Sequence, residues 1–205
     1  VKYVVLVDVT PLSLGIEAQG GIFAKIIERN TALPCSGSQV FTTAEDNQTT
    51  VDINVLQGER GMAKENVSLG VFQFEGIPPG PAGEPRLEVA FNLDVNGIVN
   101  VLARELHTDT ECRYTVKSPT KLSKLEIERI IAEAQKYALQ DEKEQEAARL
   151  PVTAAILLDA VKEITGSEGH EASWFEEIDK ATARVEAALN DGEHGALDVA
   201  VQDLR

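Results

Sequence analysis

The sequence predicts a β-plus-α chain: an antiparallel β-sandwich first, then an α-helical segment that ends in a small helical bundle. Three observations carry this. Gly and Pro crowd the first part, with 11 of 15 Gly and 7 of 8 Pro falling at or before residue 119, while 15 of 23 Ala follow it. Apolar residues repeat with a period near two before that point. After it they repeat with a period near 3.6, which marks a change from strands to helices.

The strands are read from alternation. Val51, Ile53 and Val55 alternate with Asp52 and Asn54, and Leu87, Val89, Phe91, Leu93 and Val95 alternate with Glu88, Ala90, Asn92 and Asp94. Each run has one dry and one wet face. Asn96-Gly97 follows, then Ile98, Val99 and Val101, which predicts a β-hairpin. Short strands at this spacing with Gly and Pro between them predict a sandwich of about a hundred residues. Ser118-Pro119-Thr120 is the predicted joint, giving a segment 1–8, a sandwich 9–118 and a helical part 119–205.

The helices announce their starts. Ser123-Lys124-Leu125-Glu126 is a capping box, with Leu122 and Ile127 placed as a hydrophobic staple and Ile127, Ile130, Ile131, Ala134 and Ala138 as its apolar stripe. A second stripe runs through Ala154, Leu157, Leu158, Val161 and Ile164 to Gly166. Ser173 to Glu176 is another capping box, opening a helix with Ile178, Ala181, Val185 and Leu189 that stops near Gly192. Leu197, Ala200, Val201 and Leu204 form the last stripe. Pro151 predicts a bend or break in the long helix.

A net charge of −15 argues against partners that need a basic footprint, so neither nucleic acid nor an anionic membrane is expected. The apolar run Val4, Val5, Leu6, Val7 is far shorter than the ~18 residues of a membrane span and lacks a signal peptide's basic flank. Cys35 and Cys112 are too few for a disulfide framework or a zinc site and suit a reducing compartment. His107, His170 and His194 stand in separate polar contexts without a carboxylate or Cys at ligand spacing, so no metal is expected. No nucleophile elbow, Walker loop or dinucleotide fingerprint occurs, and no catalytic residue is assigned. A binding module remains.

The residues then become specific. DVTPLSLGIE, N-T-A-L-P from Asn30, QVFTTAEDNQT from Gln39, V-L-Q-G-E-R from Val55, G-I-P-P-G-P-A-G from Gly76 and D-V-N-G-I-V-N-V from Asp94 closely resemble the substrate-binding half of the 70-kilodalton heat-shock chaperones, the family of bacterial DnaK. The likeness of words runs from residue 4 to about 140. Beyond Asp141 only the helical pattern is shared.

This resemblance implies a chaperone module that binds extended apolar segments of unfolded polypeptides and has no catalytic site of its own. A central pocket would be lined by Ile16, Phe41, Val51 and Ile53. Gln19 and Ala44 would arch over the peptide, with the backbone at Thr42 and Ala44 and the side chain of Gln48 near its main chain. Val4, Val5, Leu6, Val7 and Asp8 would be the linker to an ATPase domain, here absent, which would hold ATP and Mg. The helical part would be a lid. A J-domain co-chaperone, a nucleotide-exchange factor and a cytoplasmic location are further implications. In bacterial members an acidic residue, an arginine and a histidine latch the lid; the matching positions are Asp46, Ala82 and Asp159, so the cationic partners are missing. Two other readings stand beside this one. A nucleotide-exchange relative usually carries a long acidic insertion, for which Ser118 to Ser123 leaves no room. An unrelated ligand-binding sandwich would show more exposed aromatics than 5% of the chain supplies.

Overall fold

The structure, a computed structural model, describes residues 8–116, 122–165, 172–191 and 194–204. Val4 to Val7, the 118–120 joint, Gly166, His170 and Gly192 lie outside the described residues. Contacts divide the chain into two compact units, Val1–Asp141 and Glu142–Arg205. The first unit therefore takes in the opening turns of the long helix as well as the strands.

Eight strands follow one another: β1 (Ser13–Ala18), β2 (Ile22–Ile27), β3 (Cys35–Thr42), β4 (Thr50–Gly58), β5 (Val67–Glu75), β6 (Arg86–Leu93), β7 (Val99–Glu105) and β8 (Glu111–Val116). They make two four-stranded antiparallel sheets, ordered β2-β1-β4-β5 and β3-β6-β7-β8. The dry faces of both sheets share one core, in which Leu14, Val55, Phe74, Val89, Phe91, Val99 and Val101 are each at most 1% exposed. Alternation is clean along β6. On β4 burial alternates only to Val55: Leu56, on the opposite face as period two requires, is buried as well, packing with Phe23 and Ala63 in a separate small cluster. A bulge lies opposite it on β5, where Val55 pairs with Gly70 and Leu56 with Ser68, leaving Leu69 as the extra residue.

The β6–β7 hairpin forms where Asn96-Gly97 predicts it, but through a three-residue loop rather than a two-residue one. Gly97 N–H donates to the Asp94 carbonyl at 3.1 Å, Asp94 N–H donates to the Ile98 carbonyl at 3.2 Å, and Gly97 has φ 77°. That is a type I turn closed by a left-handed residue. The Asp94 carboxylate caps it, accepting the N–H of Ile98 and of Asn96, and these bonds hold its pKa below the usual value.

Helix α1 spans Lys124–Thr165, α2 Ala172–Asp191 and α3 His194–Leu204. The first capping box is made as predicted: Glu126 Oε2 accepts the Ser123 N–H at 2.7 Å and Ser123 Oγ accepts the Glu126 N–H at 3.3 Å. Of the bend or break expected at Pro151, the break does not occur: α1 runs through it. Proline removes one N–H from the ladder; nearby, the Thr153 hydroxyl donates to the Arg149 carbonyl at 3.0 Å. Helix α2 begins at Ala172, ahead of the expected cap at Ser173, whose side chain is outside the described residues. In the second unit Ala154 and Leu158 of α1, Val185 and Ala188 of α2, and Leu197, Ala200 and Val201 of α3 form one small core.

Within the first unit, α1 is tied to the strands by charge. Arg60, just after β4, gives a two-pronged bond to Asp141: Nε to Oδ2 at 2.8 Å and Nη2 to Oδ1 at 2.7 Å. Gly61 N–H adds a third bond to Oδ2 at 2.8 Å, and the guanidinium lies 4.6 Å from the centre of the Tyr137 ring. Among the described helices none is long and apolar enough to cross a membrane.

Candidate functional site

At one side of the sandwich the core opens into a cleft of about 290 Å³. Ile16 on β1 and Ile53 on β4 form its floor from one sheet, and Leu87 and Val89 on β6 from the other; all four are buried. Phe41 on β3 and Val51 on β4 are half-buried and line the same cleft. Its rim is polar, made by Gln19 in the short turn after β1, Thr42 at the end of β3, Ala44 and Gln48 in the β3–β4 loop, and Glu17 and Asp52. The structure thus gathers Ile16, Gln19, Phe41, Thr42, Ala44, Gln48, Val51 and Ile53 around one opening.

The β3–β4 loop is held in place by bonds to the 76–85 loop. Asn47 N–H donates to the Gly80 carbonyl at 2.7 Å, and Gly83 N–H donates to the Thr43 carbonyl at 3.1 Å. Asn47 takes φ 57°, a conformation in which an Asn is tolerated. Gln48 spans the loop from within: its Oε1 accepts the Ala44 N–H at 3.0 Å and its Nε2 donates to the Thr50 carbonyl at 3.2 Å. Asp46 and Ala82 meet, but through the main chain, with Ala82 N–H donating to Asp46 Oδ1 at 2.8 Å. The Asp159 side chain lies outside the described residues. Asp8 starts the described chain and is already attached to the sandwich, its carbonyl accepting the Leu33 N–H at 2.8 Å.

Sequence reasoning did not assign Glu17, Ala18, Asp52, Leu87 or Val89 to the cleft. Leu87 and Val89 carried a legible signal, the dry face of β6, which marks core and cleft floor alike. Glu17 is held by Asn54, whose Nδ2 donates to Glu17 Oε2 at 2.9 Å. Among the described residues no group of three His, Cys, Asp or Glu is placed to hold a metal.

A family model described as Hsp70 protein matches residues 1–205. The chain belongs to the Hsp70 family. The chaperone protein DnaK of Methanothermobacter thermautotrophicus is 45% identical to it over 206 residues, which cover 100% of this chain and 35% of that relative. This Hsp70 chain therefore spans about a third of the length of the curated relative it matches. Its cleft has the chemistry of a site for an apolar side chain: a buried aliphatic floor, partly exposed apolar walls and hydrogen-bonding groups confined to the rim.

Proposed function

We propose that this chain is the substrate-binding part of an Hsp70 chaperone and that the cleft takes one aliphatic side chain of an extended, unfolded polypeptide. The observation that carries the reading is the cleft itself, open to solvent above Ile16, Ile53, Leu87 and Val89. Burying a Leu there contributes ~1.5–3 kcal/mol, and each main-chain hydrogen bond at the rim nets ~0.5–1.5 kcal/mol. A handful of these, less the cost of ordering the peptide, gives the roughly −8 kcal/mol of micromolar binding. Gln48 and Ala44 satisfy each other in the free cleft, so a peptide main chain has to replace that one bond. Folded proteins hide aliphatic groups and main chain, and unfolded chains present both.

In this reading residues 1–8 are the linker, 9–118 the peptide-binding sandwich and 119–205 the lid. ATP, Mg and catalysis belong to an ATPase domain of the intact protein, with a J-domain co-chaperone and a nucleotide-exchange factor as partners in the cytoplasm. The test is anisotropy with a labelled, unstructured, Leu-centred heptapeptide. Val51→Phe overfills the cleft and is expected to weaken binding at least tenfold, about 1.4 kcal/mol, with the sandwich still folded. Unchanged affinity in a folded variant returns these residues to plain core.

The latch positions give a second expected result. Position 82 is within one hydrogen bond of Asp46, so an arginine there has a carboxylate at hand. Installing Ala82→Arg together with Asp159→His is expected to slow peptide dissociation severalfold. Unaltered dissociation would mean that the helical part does not close over the cleft through these positions.

A further inference from the structure

Of the eight asparagines in the chain, Asn96 alone is followed by glycine. The others precede Thr, Gln, Val, Leu or Asp, whose Cβ crowds that residue's own peptide nitrogen, most of all where it is branched. Glycine puts no carbon there. The structure sets Asn96 apart a second time. Asn54 is bonded at both ends of its amide, giving Nδ2 to Glu17 at 2.9 Å and taking the Ser68 hydroxyl on Oδ1 at 2.6 Å. Asn66 gives Nδ2 to the Arg60 and Met62 carbonyls and takes the Arg60 N–H on Oδ1. The Asn96 side chain is exposed, and among the described residues its amide makes one long bond, from Nδ2 to Asp94 Oδ2 at 3.4 Å. Beside it Val95 is 64% exposed, and nothing lies within 4 Å of where a Cβ on Gly97 would stand. Room and water are both at hand.

We propose that Asn96 is a self-modification site, converting to isoaspartate and aspartate without an enzyme, and that Asp94 restrains the rate. The Gly97 nitrogen attacks Asn96 Cγ and loses its proton to solvent, while the Cγ–Nδ2 bond breaks and the side-chain nitrogen leaves as ammonia. A cyclic succinimide remains. Water opens it at Cγ to give aspartate, or at the former main-chain carbonyl to give isoaspartate; either way one amide and one water become a carboxylate and ammonium. Asp94 is the brake. Its carbonyl holds the Gly97 N–H at 3.1 Å, and its Oδ1 holds the N–H groups of Asn96 and Ile98 at 2.8 and 2.9 Å. The attacking nitrogen is therefore released only when the hairpin tip opens. The Asp94 charge also opposes deprotonation of the amide beside it. Isoaspartate reroutes the main chain through the side-chain CH₂, adding an atom between the two N–H groups that Asp94 Oδ1 accepts, and sets a second carboxylate near the first. The loop cannot keep both bonds, so the β6–β7 pairing frays from its Leu93–Val99 end.

The test is incubation of the folded chain at 37 °C with peptide mapping by mass spectrometry at intervals. Asn96 is expected to gain one mass unit before any other asparagine, partly as an isomer that an isoaspartyl carboxyl methyltransferase labels. Asn96→Gln, whose longer side chain would have to close a larger ring, is expected to slow ammonia release from the whole chain at least fivefold. Asp94→Ala is expected to speed conversion at Asn96 at least threefold, with the amide spectrum of the sandwich retained. Amides of Val95 to Val99 should exchange faster in the converted chain than in the fresh one. Earlier conversion at another asparagine overturns the site, as does an intact Asn96 after ten half-lives of the same residue in a free 93–99 peptide. Equal rates in Asp94→Ala and the parent overturn the role of Asp94.

Discussion

Gly15→Ala is expected to cost more than ~4 kcal/mol and to leave little folded protein at 37 °C, the largest effect of any single methyl group in the sandwich. A Cβ on Gly15 would stand 1.9 Å from the Ala24 carbonyl oxygen, 2.8 Å from its carbon and 2.9 Å from Lys25 Cα. All three are backbone atoms of β2, so no side-chain rotation relieves the clash. The pairing of β1 with β2 is already irregular between Leu14 and Gly15, and β1 also pairs with β4. Moving β1 away from β2 therefore disturbs the sheet on both sides and displaces Leu14 from the core and Ile16 from the cleft floor. The usual gain from a stiffer unfolded chain, ~0.4–1 kcal/mol, is small beside this. Gly83→Ala is the contrasting case: its φ is 86°, but nothing lies within 4 Å of the added carbon. Only backbone strain of ~1–2 kcal/mol is then expected. Urea unfolding of both variants checks the pair, and equal midpoints for Gly15→Ala and the parent would overturn the argument.

Parts of this architecture were legible because one face of an element is wet and the other dry. β6 shows the alternation without interruption, and the Ser123 capping box identifies the start of α1 from four residues. Other parts carry no such mark. β3, Cys-Ser-Gly-Ser-Gln-Val-Phe-Thr, is an edge strand whose residues are all half-buried or exposed, so its hydropathy shows no period. The bulge at Leu69 depends on register against β4, which a single strand's residues do not encode. Pro151 is a breaker by local propensity, yet it sits inside a helix whose neighbouring turns are held by a tertiary core at Leu150, Ala154 and Leu158. Packing overrides local preference there.

The cleft illustrates the same limit. Ile16 and Ile53 are 4% and 3% exposed, so hydropathy cannot separate them from core residues such as Phe91. Resemblance to the family chose them, and the geometry placed them beside Gln48 and Ala44. Glu105, the last residue of β7, carried no signal either: it looks like one more surface charge until its burial is known.

The Arg60–Asp141 pair spans 81 positions of sequence and was equally invisible, yet it yields the second large expected effect. Both side chains are mostly buried, 14% and 8% exposed, and share two charge-assisted bonds, with the Gly61 N–H as a third donor to the carboxylate. Removing one partner of such a pair leaves the other desolvated and uncompensated, which typically costs ~3–5 kcal/mol. Glu65, 3.6 Å from Arg60 Nη1, and the Tyr137 ring stay with Arg60 and soften the loss. Asp141→Asn is therefore expected to cost about 2–4 kcal/mol, and to expose backbone amides of Lys136 to Gln140 to hydrogen exchange before those of β4. The pH dependence has a definite sign. The hydrogen bond from Arg60 is the main cause holding the Asp141 pKa below the usual aspartate value, against burial, which raises it. An acid with a lowered folded-state pKa contributes stability that is complete above the unfolded value of ~3.9 and is lost as pH falls through the folded one. The difference in stability between the parent and Asp141→Asn should stay constant from neutral pH down to about 5 and shrink below about 4. A difference that instead grows on acidification would mean that Asp141 is not the anion holding α1 to the strands.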